Sequence, residues 1–153
     1  MRRACAGFTL LELLIVLALM ALAVSMTGLV GTRDPAREAR QEAAGMLELL
    51  QHGRQLALSE GREYGLCVSP AAVQLMRWGG ASWQPQGAAL LAASVLQLSV
   101  QGQGVQLPAR CREPQVLLSS SDEISEFRLR LNRDGKPLAQ VVGNGLDDPR
   151  SED

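Results

Sequence analysis

From Phe8 to Val30 the chain runs for 23 residues that are apolar or small, with one exception, Glu12. As an α-helix this run is ~35 Å long, enough to cross a bilayer core of ~30 Å. A carboxylate in such a run costs about 2.5–3.5 kcal/mol at a helix centre and less toward the ends. An acid kept there ordinarily has a partner, which makes Glu12 a functional residue by default.

Residues 1–7 are short and basic. Arg2 and Arg3 ahead of an apolar run favour a cytoplasmic N-terminus. Three readings of the run compete. An ordinary signal peptide would use Ala21-Leu22-Ala23 as its cleavage site and begin the mature chain at Val24. Apolar character continues past that point, however, and an acid within the run is atypical. A plain signal anchor accounts for the length but not for Gly7-Phe8 in front of an acid.

The third reading is a resemblance. Gly7-Phe8-Thr9-Leu10-Leu11-Glu12 resembles the class III leader of type IV pilins and type II secretion pseudopilins. The resemblance implies that a prepilin peptidase/methyltransferase cuts between Gly7 and Phe8 and methylates the new amine of Phe8. Glu12 then becomes the fifth mature residue. It lies one helical turn from that amine and can face it in its own chain or in a neighbour. Pairing in a low-dielectric setting would offset part of the burial cost and draw subunits into register.

The chain has 153 residues and a net charge of −1. With the leader removed, the loss of Arg2 and Arg3 leaves 13 basic side chains against 16 acidic ones, a net charge of −3. No basic footprint for nucleic acid is present. Cys5 precedes the apolar run. Removal of the leader leaves Cys67 and Cys111 as an even pair in an oxidising compartment. They form either a disulfide or two separate buried thiols, and the sequence leaves both open.

After the apolar run, Asp34-Pro35 reads as an N-cap followed by proline at the first helical position, so the helix kinks or restarts there. Residues 32–60 are the expected amphipathic continuation. Ala39, Ala43, Met46, Leu47, Leu50, Leu56 and Ala57 form one apolar stripe, and Gly61 closes the helix. Beyond Gly61 the period changes to two. Strands are expected at 62–68, 72–78, 82–85, 95–100, 104–108, 114–119, 126–131 and 137–142, some of them marginal, for a total of about seven. Residues 86–93 read as weakly helical, and 114–119 as a central strand. Residues 61–143 make the β-rich domain, and 144–153 a polar, frayed tail. The fold class is α+β: a long N-terminal helix packed on an antiparallel sheet domain.

Arg62-Glu63-Tyr64-Gly65-Leu66, Pro114–Ser120 and Phe127–Leu131, in that order behind the leader, resemble the H-type minor pseudopilins of type II secretion, a GspH/FimT-like family. Residues 79–112 carry the resemblance least. It implies a non-enzymatic subunit anchored by a single pass in the bacterial inner membrane, with its C-terminal domain in the periplasm. Its implied partners are the major pseudopilin, the other minor ones, inner-membrane lipid before assembly and, beyond these, an exoprotein. A minor pilin of a type IV pilus or DNA-uptake system shares the same leader and fold. A secreted globular domain behind a signal peptide is the reading from another class. No cofactor, catalytic constellation or metal site is expected. His52 is the only histidine, the Ser119–Ser121 run reads as a turn, and Asp134, Asp147 and Asp148 fit no calcium loop. Arg128 and Arg130 project outward from their strand, as a partner contact or a solvated face.

Overall fold

A computed structural model of the chain describes residues 9–27, 34–145 and 147–152. The chain divides into two units at Arg33/Asp34. Among its described residues the first contains one helix, α1 (Leu10–Thr27). Its 18 residues are ~27 Å long, short of a ~30 Å bilayer core. Among the described residues, no helix is long and apolar enough to cross a membrane. Both ends of the expected 23-residue span, Phe8 and 28–30, lie outside the described residues, as do residues 31–33 just ahead of the expected restart at Asp34-Pro35.

The second unit is built on α2 (Pro35–Glu60). Asp34 caps it: the backbone is extended there, and Oδ1 accepts from the Ala36 N–H at 3.0 Å. Gly61 ends the helix in the left-handed conformation with its N–H on the Ala57 carbonyl. The buried stripe is Ala39, Ala43, Met46, Leu50, Gly53 and Ala57. Leu47 and Leu56 from the expected stripe are only partly buried, and Gly53 replaces them. A Cβ on Gly53 would come within 2.6 Å of Leu75 Cδ1 and 2.8 Å of Leu118 Cδ1. The glycine therefore lets the helix lie directly on a sheet.

Ten strands follow: β1 (Tyr64–Ser69), β2 (Ala72–Trp78), β3 (Trp83–Pro85), β4 (Leu90–Leu91), β5 (Val95–Val100), β6 (Gln103–Val105), β7 (Val116–Leu118), β8 (Phe127–Arg133), β9 (Lys136–Gly143) and β10 (Arg150–Glu152). They form two antiparallel sheets. The first has the order β3-β2-β1-β7 with β4 also on β2, and the second β10-β9-β8-β5-β6. α2 packs against strands of both. One core results, with Tyr64, Leu66, Leu75, Val116 and Leu118 from the first sheet and Leu96, Leu98, Leu129, Leu131 and Val141 from the second. Burying these side chains contributes about 1.5–3 kcal/mol each.

Three expectations are corrected. Residues 86–93 contain no helix: Leu90 and Leu91 pair with Val73 and Ala72 instead. The segment is too short and too interrupted to repay helix nucleation, whereas β2 offers an open edge. The strand expected at 114–119 shrinks to β7 and lies at the edge of its sheet, not at its centre. Its apolar character comes from contact with α2 on one face and from the 119–125 turn, which folds back through the Leu118–Ile124 bridge and covers the edge. Of the tail expected to fray, residues 150–152 instead form a strand. β10 pairs Arg150 with Val142 and Glu152 with Gln140, and Gln140 Nε2 donates to Glu152 at 3.0 Å.

Candidate functional site

From Leu10 to Leu22 every residue of α1 is exposed, and its large apolar side chains range from 42% exposed at Val16 to 81% at Leu10. A helix apolar on all sides is stable only in lipid or among other helices. Thr9 starts it: its carbonyl accepts from Glu12 and Leu13 N–H at 3.1 and 3.3 Å, and its hydroxyl also accepts from Glu12 N–H at 3.4 Å. Glu12 thus sits in the first turn, where the helix dipole favours a carboxylate. Among the described residues it has no salt bridge. Gly7 and Phe8, the expected cleavage and methylation positions, lie outside the described residues.

In the second unit the structure brings Cys67 and Cys111 together as a disulfide, with Cα atoms 5.7 Å apart. The reason lies in β1, which is buried on both faces. Tyr64, Leu66 and Val68 face α2, while Gly65 and Cys67 face the segment 111–116. That segment is fastened at further points. Gln115 N–H donates to Leu66 O at 3.1 Å. The Gln115 side chain accepts from Val68 N–H at 2.8 Å and donates to Val68 O at 3.3 Å.

Polar ties that sequence reasoning missed connect α2 to the loops. Arg54, mostly buried, donates through Nε to Asp122 at 2.6 Å and through a terminal nitrogen to Asp148. The bond to Asp122, with both carboxylates nearby, raises the Arg54 pKa further above its ordinary value. In return the Arg54 hydrogen bond holds Asp122 below the usual carboxylate range. Arg133 reaches Glu38 at 2.6 Å and Glu42 at 3.5 Å. Its pKa is raised chiefly by the Glu38 hydrogen bond. Glu42 also accepts the backbone N–H groups of Ala93 and Ser94. Burial pushes the Tyr64 phenol up, and its hydrogen bond to Glu60 adds to this. Asp122, Asp148 and Glu38 lie 68, 94 and 95 residues from their arginine partners along the chain, so only the fold reveals these pairs.

The remaining candidates are placed as follows. His52 is exposed on α2, and Ser119–Ser121 form a turn whose Ser120 donates to Glu63. Asp134 occupies the tight β8–β9 turn with φ 52°, Asp147 is bonded to Asn144, and Asp148 is held by Arg54. Among the described residues, no three metal-ligating side chains converge.

Comparison with known proteins adds sequence and fold relatives. Residues 2–28 match the family model described as the prokaryotic N-terminal methylation motif. The chain is 34% identical to type II secretion system protein H of Pseudomonas aeruginosa over 171 residues, covering 98% of this chain and 97% of that protein. Its fold is similar to the solution structure of Escherichia coli GspH, with a TM-score of 0.64 at 22% identity, over 80% of this chain and 94% of that one. It is also similar to the minor pseudopilin EpsH of the Vibrio cholerae type 2 secretion system, with a TM-score of 0.63 at 18% identity, over 77% and 95%.

Proposed function

The chain belongs to the type II secretion system protein H family, the H-type minor pseudopilins, and from that premise we propose how its residues serve assembly. Prepilin peptidase cuts between Gly7 and Phe8 and the Phe8 amine is methylated. The mature chain is held in the inner membrane by the apolar helix as a single pass, with the β-domain in the periplasm. Glu12 then pairs with a Phe8 amine as α1 passes from lipid into the helical core of the pseudopilus, whose growth drives folded exoproteins outward. Its partners there are the major pseudopilin and the other minor ones.

The observation that carries this reading is the exposure of α1 on every side from Leu10 to Leu22, with a single carboxylate in its first turn. Such a helix is at home in lipid, and within a bundle of like helices it loses nothing by the exchange. The carboxylate gains in that exchange, because a low-dielectric surround strengthens its attraction to a cationic amine. The second unit carries its own core and needs α1 for none of it. Such a domain can remain folded in the periplasm while the helix changes surroundings.

The test is mass spectrometry of the mature chain taken from membranes. A first residue Phe8 carrying a methylated amine is expected, and a chain beginning at Val24 overturns the reading. Deletion of the gene should stop exoprotein secretion and leave twitching motility intact.

A further inference from the structure

We propose that the outer face of the second sheet is a docking surface for an acidic segment of a neighbouring filament subunit, gripped by Arg128 and Arg130. The proposal rests on the assembly reading above. The inner face of this sheet is consumed by the core: Leu96, Leu98, Phe127, Leu129 and Leu131 point inward. The outer face is left open, and its middle strand, β8, presents Arg128 and Arg130 exposed and two residues apart. Their side chains leave the same face about 7 Å apart along the strand. Neither makes an ion pair with a described residue.

The acid nearest in register is already engaged. Arg130 lies opposite Gln140, and Gln140 opposite Glu152, but the Glu152 carboxylate is taken by Gln140 at 3.0 Å and by Arg150 at 2.8 Å. Glu126 and Asp148 share a depression with Arg128, and Asp148 is bound to Arg54. Further depressions run along the face beside Arg130. One is walled by apolar Val95 (60% exposed) and Pro137, and another by Leu107. Two guanidinium forks with apolar walls suit protein carboxylates set at strand spacing, each able to accept two hydrogen bonds. A nucleic acid would need a broader basic footprint than this net-acidic chain has. The processed chain carries −3, so subunits of like sign repel unless a local site of opposite sign meets an acidic neighbour.

The experiment places a photo-crosslinking residue at Gln97, which flanks Arg130, in the full-length protein in secreting cells. The expected product is a crosslink to another subunit with the same type of leader, on a peptide with two acids within five residues. R128E/R130E should cut its yield by about ten-fold or more. Changing those partner acids to lysine should restore it. If R128E/R130E lowers the amount of mature chain, R128Q/R130Q at wild-type abundance replaces it in the comparison. A crosslink to an exoprotein or to lipid, an unchanged yield in the variant, or no crosslink at all overturns the proposal. Methylated Phe8 is read in the same sample. Its absence sinks the filament reading, whereas its presence with no subunit crosslink sinks the docking surface alone.

Discussion

Gly65→Ala is the most demanding test of how this β-domain is held together. Gly65 lies in β1, between β2 and β7. A Cβ built there stands 2.5 Å from Pro114 Cβ, 2.7 Å from Pro114 Cγ and 2.8 Å from the Val116 carbonyl oxygen. These are a rigid ring and a backbone atom, so no side-chain rotation relieves the contact. Nor is the covering segment free to withdraw. Cys111 is joined to Cys67, Gln115 grips Val68 through both side-chain ends, and Val116 is in register with Leu66. Overpacking of this kind costs about 1–3 kcal/mol. Replacing a strand glycine by alanine returns about 0.5–1 kcal/mol of backbone entropy. The net expectation is a loss of about 1–2 kcal/mol. At an m-value of about 1.5 kcal/mol/M, that lowers the urea midpoint by about 1 M with the slope unchanged. Urea unfolding of residues 34–153 followed by circular dichroism measures it, since that stretch holds its own core. A variant as stable as the parent, or more so, would show that the 111–116 segment yields freely, and the account of β1 as clamped from outside would be wrong.

Four other outcomes are expected. Gly45→Ala should stabilise the same fragment by about 0.5–1 kcal/mol, because its Cβ meets only Leu90 Cδ2 at 3.5 Å, while Gly53→Ala should fail to stabilise it because Leu75 and Leu118 already fill that space. Intact mass under non-reducing conditions should show Cys67 linked to Cys111. Their replacement by serine opens a loop with a sequence separation of 44 and should cost about 2–5 kcal/mol in urea unfolding. Asp122 has its pKa lowered by Arg54. Its contribution is therefore fully present above the unfolded value of 3.8 and is lost as pH falls through the lower folded one. Asp122→Asn should flatten the acid limb of stability plotted from pH 7 to pH 2, and a parallel curve for the variant would remove the Arg54 account. Glu12→Ala should still be cut and methylated at Phe8 but be recovered from sheared pseudopili in much lower amount; equal recovery would dispose of the ion-pair step.

Much of this fold is legible along the chain because its signals are local. The stripe from Ala39 to Ala57 repeats every three or four residues. Asp34-Pro35 and Gly61 mark the ends of α2 by capping chemistry that involves only neighbours. The starts of β5 and β8 alternate strictly, and Asp134-Gly135 supplies the positive φ angles that a two-residue hairpin needs. What was misread depends on distant partners. Leu90-Leu91 and Arg150–Glu152 are two and three residues long, too short to show a period, and become strands only because β2 and β9 offer open edges. β7 looks central because it is apolar, yet it lies at an edge under a turn. Gly53 breaks the apolar stripe in sequence and completes it in space.

The candidate site divides along the same line. The apolar run with one acid, the Gly7-Phe8 junction and the helical stripe specify by themselves a helix destined for lipid or for other helices, followed by a half-buried one, because chain periodicity and transfer energy are properties of consecutive residues. Only the tertiary structure decides that Cys111 passes over Cys67, that Arg54 joins two loops to α2, and that Arg128 and Arg130 stand on the open outer face of the second sheet without an ion pair to a described residue. Those depend on which strands pair and in what register. That register is set by one shared core that no single segment contains.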